Sequence, residues 1–282
     1  MIVITGASGQ LGRLVIEALL STVPANQIVA AVRTPAKVAD LAARGVVVRQ
    51  ADYSQPDTLD AAFAGASQIL LISSSEVGQR LPQHQNVIAA AKRASVSLLA
   101  YTSLLHADSS PLALAAEHVA TEEALKASGL PYVILRNGWY TENYTASIPP
   151  ALQYGVLLGS AGDGKIASAT RSDYAAAAAA VLRTPNQAGK VYELAGDTAY
   201  TLTEFAAELS RQAGKAVAYQ NLPQADYTQA LLDAGLPGFL AELLAESDSG
   251  AAKGGLFDDC HQLSELIGRS TTPLATAIAA AL

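Results

Sequence analysis

Short apolar runs punctuate the first half of the chain. After each comes a longer stretch in which apolar positions return every three or four residues. The runs cover residues 2–5, 28–32, 46–50, 69–72, 98–101 and 132–135. They are too short for helices and nearly unbroken rather than alternating, the pattern of strands covered on both faces. The stretches between them, 10–21, 35–43, 56–63, 81–94 and 111–127, carry the helical period. Ser110 as N-cap, Pro111 at the first helical position and Gly129 past the last turn bracket the fifth of these helices. Strands alternating with helices predict a doubly wound parallel sheet of the α/β class.

The pattern loosens after Asn137. Residues 147–165 read as loop, 174–182 as an alanine-rich buried helix and 191–194 as one more strand. Residues 202–212 and 224–244 read as helices of a smaller C-terminal region, and 247–255 as a flexible loop. The apolar face of residues 81–94 suits either the core or a homodimer.

Composition narrows the function classes. The chain has 282 residues, half of them hydrophobic and only 15% charged, enough for a substantial core and against disorder. A net charge of −7 without any cluster of Lys and Arg argues against a nucleic-acid surface. Cys260 is the single cysteine, so neither an intrachain disulfide nor Cys/His metal spacing is available, and no metal is expected. No basic segment precedes the first apolar run, and no run approaches ~18 apolar residues, so a soluble cytoplasmic protein without a membrane span is expected.

The first strand leads into Gly6-Ala7-Ser8-Gly9-Gln10-Leu11-Gly12 and then directly into the first helix. Glycines there allow a tight turn and a close backbone approach, and the helix start offers free N–H groups to a pyrophosphate. The spacing is G-x-x-G-x-x-G, so its position carries the signal rather than the spacing itself. Strand two ends at Arg33 rather than at an acid. A guanidinium pairs with phosphate oxygens, so NADPH is expected over NADH, with Lys37 as a second cation nearby. Asp52 and Tyr53 end strand three, on the expected adenine side. Further strand ends bring Ser73, Ser74 and Ser75, then Tyr101, Thr102, Ser103 and His106, then Asn137, Gly138, Trp139, Tyr140 and Asn143 to the same edge. His106 is the one histidine placed to reach a substrate.

Many reductases of this architecture pair a tyrosine with a lysine four residues later on a helix, which lowers the phenol's pKa. None of the eleven tyrosines has such a partner. The acceptor should therefore need little acid catalysis, as a quinone or a cationic triarylmethane dye does, and no side chain stands out as catalytic.

The blocks GASGQLG, VRTPAK, QADY, LLISSSEVGQR, AYTSLLHAD, LRNGWYTENY, GDGKIASATRSDYA, VYELAGD and KGGLFDD together resemble the NmrA-like, atypical short-chain dehydrogenase/reductase family, in its quinone- and dye-reducing branch. The likeness spans nearly the whole chain. It implies an NADP-binding Rossmann-like domain at 1–150 and a smaller substrate-side region at 151–282, with segments near 166–195 returning to the first core. It implies flavin-independent hydride transfer from NADPH to a quinone, with a triarylmethane dye as the alternative acceptor. The implied cofactor contacts are Gly6 to Leu11, Arg33, Ser73 to Ser75, and Asn137, Gly138, Trp139, Tyr140, Thr141 and Glu142, to which the glycine loop and the end of strand three add Gly12, Asp52 and Tyr53. By the resemblance Lys165 and Arg171 would lie at the cleft, and with Tyr140 and His106 from the strand ends they are expected to border the substrate. The family also holds regulators that bind a dinucleotide and catalyse nothing, so a non-catalytic NADP(H) sensor stays open.

Overall fold

The first strand of the chain is an inner strand of its main sheet. In a computed structural model that describes all 282 residues, the strands are β1 Ile2–Ile4, β2 Ile28–Val32, β3 Val47–Gln50, β4 Gln68–Leu71, β5 Leu98–Leu104, β6 Tyr132–Asn137, β7 Val156–Gly159, β8 Val191–Leu194 and β9 Ala218–Asn221. Seven form one parallel sheet in the order β3-β2-β1-β4-β5-β6-β8, and β7 pairs with β9 in a small second sheet. The helices are α1 Gln10–Leu20, α2 Ala39–Ala43, α3 Pro56–Phe63, α4 Arg80–Arg93, α5 Ala115–Ala127, α6 Thr141–Thr145 and α7 Ile148–Tyr154. There follow α8 Arg171–Arg183, α9 Leu202–Ala213, α10 Gln224–Asp233, α11 Gly238–Ala251, α12 Gln262–Ile267 and α13 Leu274–Ala281.

Successive strand residues feed opposite layers, which is why the apolar runs are unbroken. Ile4, Ala30, Leu70 and Val133 face α1 and α8, through Val15, Ile16, Tyr174 and Val181. Val3, Val29, Ile69 and Ile134 face α3, α4 and α5, through Leu59, Phe63, Val87, Ala91 and Leu125. The apolar side of α4 is thus spent on the core. A separate cluster, with Trp139, Tyr144, Ile148, Tyr200, Phe205 and Leu209, fills the C-terminal lobe. α8 and β8 return to the main layers, α8 beside α1 and β8 beside β6.

Four local expectations need correction. Helix α5 starts at Ala115, not at Pro111. Leu112 is drawn into the C-terminal core against Gly250, and the Ala113 amide donates to Glu246, so tertiary docking overrides the Ser-Pro start signal. Residues 147–165 contain α7 and β7 rather than loop alone. Residues 224–244 break into α10 and α11, because Gly235 takes φ +88° and Pro237 precedes the second helix. Residues 247–251 are the end of α11 rather than a loop. Gly250 serves packing there: a Cβ on it would lie 2.9 Å from Leu112 Cδ2, and the Ala251 backbone in turn leaves room only for glycine at position 164. No helix is long and apolar enough to cross a membrane.

Candidate functional site

The chain leaves β1 toward β2 and β3 on one side and β4 continues toward β5 and β6 on the other, so the connections diverge between β1 and β4. In open α/β sheets that divergence opens a crevice beyond the strands' carboxyl ends. A cleft of about 250 Å³ lies there. Of the expected residues, Gly6, Ser8, Gly9, Arg33, Asp52, Tyr53, Ser73, Ser74 and Ser75 line it.

The glycine loop divides its work. Gly6 takes φ +58°, a left-handed turn that suits glycine, and its carbonyl accepts from the Gly9 amide at 2.9 Å. Gly9 is the N-cap of α1 and offers no side-chain cap, so amides at the helix start stay available at the cleft. Gly12 serves packing: a Cβ there would stand 2.6 Å from the Gly6 oxygen and 2.8 Å from Ala7 Cα. Ala7 and Leu11 are buried in the core, and Gln10 is exposed at the first turn.

At the floor, the Thr5 hydroxyl meets the Tyr53 phenol and donates to the Leu70 carbonyl, while the Ile72 amide donates to Thr5. The Tyr53 oxygen also lies 2.8 Å from the Ile72 carbonyl oxygen, so the phenol sits where it links the ends of β1 and β4. Burial raises its pKa and keeps it protonated.

The serine loop is fastened from beneath. The Ser73 amide donates to Thr102 at 2.9 Å, the Ser74 amide to His84 Nε2 at 2.9 Å, and Arg80 Nε to the Ser74 carbonyl at 2.6 Å. Because Nε2 accepts, His84 must carry its proton on Nδ1, donated to Thr121, whose hydroxyl donates to the Glu117 carbonyl. Burial, with Arg80 nearby, lowers the His84 pKa to about 3, so the imidazole stays neutral. With the loop's backbone held, the buried Ser73 hydroxyl is left without a partner. Further along the same edge, the Asn137 side-chain oxygen is also buried and unpartnered. Two unmet hydrogen-bonding groups at one sheet edge fit a polar ligand.

The 137–142 segment does mixed duty. Gly138 passes close to the Tyr174 phenol, and Trp139 packs into the C-terminal core. Thr141 Oγ1 shares a hydrogen bond with Ser168, and the Glu142 carboxylate accepts from the Arg171 amide that opens α8. Tyr140 is half-buried with its pKa raised by burial, and the Arg171 guanidinium stacks 4.3 Å from its ring centre. Lys165 instead pairs with Glu204 at 3.2 Å on the α9 side. His106 has φ +51° and lies 3.0 Å from Asp258, with its amide on Glu193, among contacts to the C-terminal segment rather than in the cleft lining. Cys260 donates weakly to the Glu193 carbonyl, and burial pushes its thiol up to about 11, far from a reactive thiolate. No group of three His, Cys, Asp or Glu side chains is placed to hold a metal.

Two polar lining residues, Glu76 and Gln83, escape sequence reading. Gln83 sits in the first turn of α4 on the buried side, a placement that helix periodicity could have shown. His84 escaped as well, because one histidine on a helix gives no sign of what its two nitrogens touch.

Known proteins share this arrangement throughout. The chain is 63% identical to quinone oxidoreductase 2 of Escherichia coli over 278 residues, covering 99% of this chain and 97% of that one. It superposes on the crystal structure of an E. coli NADPH-dependent quinone oxidoreductase complexed with NADPH at TM-score 0.97, with 63% identity and 99% of both chains covered. The Citrobacter sp. triphenylmethane reductase complexed with NADP(H) matches at TM-score 0.96, with 39% identity over 100% of both chains. A family described as NAD(P)H-binding matches residues 6–185. The chain belongs to the NAD(P)H-binding family, on a Rossmann-like fold shared with these reductases.

Proposed function

We propose that the protein is an NADPH-dependent quinone oxidoreductase that works without flavin. The observation that carries this is the cleft itself: a glycine loop and open helix start at the sheet's divergence, with Arg33 at the end of β2 in place of an acid. The likeness to the E. coli enzyme over 99% of the chain supports it. Bound there, NADPH would supply a hydride, two electrons and one proton's worth of hydrogen, to a quinone carbon.

Each part of the site then has a task. Gly6, Gly9 and the start of α1 receive the pyrophosphate, and Arg33 pairs with the 2′-phosphate. Asp52 and Tyr53 border the adenine. Ser73 and Asn137, with their unmet groups, hold the cofactor's nicotinamide half in place. Tyr140, kept protonated by burial and backed by Arg171, presents an O–H to the acceptor's carbonyl oxygen. Water protonates the hydroquinone anion, so the missing Tyr/Lys pair costs nothing in this reaction. The acidic surface and lone cysteine support a cytoplasmic location.

A second acceptor class is favoured by one finding, the match to the triphenylmethane reductase over the full chain. Both acceptors take hydride directly. Side-by-side turnover of a benzoquinone and a cationic triarylmethane dye decides between them: faster quinone turnover supports the first reading, and dye turnover with an inert quinone replaces it.

A further inference from the structure

We propose that Glu76 sets cofactor specificity by competing with the 2′-phosphate for Arg33; this rests on the NADPH reading above. Arg33, from the end of β2, and Glu76, from the segment between β4 and α4, line the same cleft and meet at 2.7 Å. Glu76 is not a free surface acid. Its Oε2 accepts from Gln83 Nε2 at 2.7 Å, and Gln83 is buried. Its amide donates to Ser74 Oγ at 3.1 Å, which fastens the residue to the serine loop. The carboxylate therefore stays at the cleft whichever partner Arg33 takes.

A phosphate that engages the Arg33 guanidinium takes Nη1 from Glu76 or uses the remaining donors, and either way lies beside a carboxylate that Gln83 still holds. Like charges at that range repel, and the pair is exposed enough for the repulsion to depend on salt. A free ribose 2′-hydroxyl meets no such penalty, since a hydroxyl can donate to a carboxylate. Glu76 thus works against Arg33: the arginine favours NADPH, and the glutamate narrows the margin over NADH and eases release of the phosphorylated dinucleotide.

The test is Glu76→Gln, which keeps the shape and can still accept from Gln83. Affinities for NADPH, NADH, adenosine 2′,5′-bisphosphate and AMP are measured by calorimetry at low and high salt, beside Arg33→Ala. The NADPH-to-NADH affinity ratio should rise about fivefold or more in Glu76→Gln, with the bisphosphate-to-AMP ratio rising alike and both gains shrinking in high salt. An unchanged or lower ratio in Glu76→Gln, while Arg33→Ala still loses NADPH selectively, overturns the role of Glu76 alone. If the wild type does not prefer NADPH and Arg33→Ala weakens both dinucleotides equally, the phosphate role of Arg33 fails, and this proposal with it.

Discussion

Replacing Gly12 with alanine adds one methyl group to the third position of α1, normally a favourable change. In a helix interior, alanine is better than glycine by up to ~1 kcal/mol. At Gly12 the new carbon would lie 2.6 Å from the Gly6 oxygen, 2.8 Å from Ala7 Cα and 3.0 Å from the Gly6 carbonyl carbon. All three are backbone atoms of the cleft loop, so no side chain can swing away. Either α1 slides outward or the loop retreats. Overpacking of this kind costs about 1–3 kcal/mol, and at about 2–4 °C per kcal/mol a fall of several degrees in Tm should follow. The functional loss should be larger, because a loop displaced by ~1 Å can cost about a hundredfold where geometry matters. Gly238→Ala is the control: it sits at the first position of α11 with nothing within 4 Å of its would-be Cβ. Paired thermal melts and NADPH titrations check the expectation. Gly12→Ala should melt lower and bind NADPH at least tenfold more weakly, whereas Gly238→Ala should do neither. If the two variants behave alike, the close approach of α1 to the loop does not shape the cleft.

Other consequences can be measured in the same assays. Arg33→Ala should weaken NADPH by about 1.5–3 kcal/mol, more than tenfold, and leave NADH nearly unchanged, read by nicotinamide fluorescence. His84→Ala leaves the Ser74 amide unpaired and should raise the KM for NADPH while costing about 1–3 kcal/mol of stability, read by steady-state kinetics and denaturation. Glu122→Gln removes one of the three carboxylates around Arg136, leaving Glu193 and Asp108, and should cost about 1–3 kcal/mol in urea unfolding. The pH dependence has two opposed parts. Burial lowers His84 and His118 to about 3, so their contribution is complete above about 6.5 and is lost as pH falls toward 3. Burial raises Asp248 from 3.8 to about 6, so its contribution is present below 3.8 and is lost as pH rises through about 6. Melts across pH 4–7 should therefore steepen in Asp248→Asn, which removes the term that offsets the histidines.

The main sheet was legible because its inner strands are covered on both faces, and an unbroken apolar run records that directly. Its carboxyl edge was legible for a related reason: glycines between a strand and a helix, and Arg33 directly after a strand, mark that edge by their place in the local sequence. The C-terminal lobe was less so. Gly250 looks like a loop residue, yet it is small because Leu112 presses against it from far along the chain. The serine loop was visible, but its clamp was not. His84, Arg80 and Thr102 reach it from α4 and β5, and only the fold shows that their donors and acceptors converge on residues 73 and 74. His106 shows the reverse case, a strand-end histidine that faces Asp258 and Glu193 instead of the cleft lining.

The most direct test follows the absorbance of reduced nicotinamide with the purified protein and a simple benzoquinone, NADPH and NADH being run in parallel. Rapid loss of NADPH that requires both protein and quinone, with NADH much slower, is the predicted result. Tight NADPH binding without oxidation by quinone or dye would contradict the enzyme reading and leave a protein that senses the dinucleotide without consuming it.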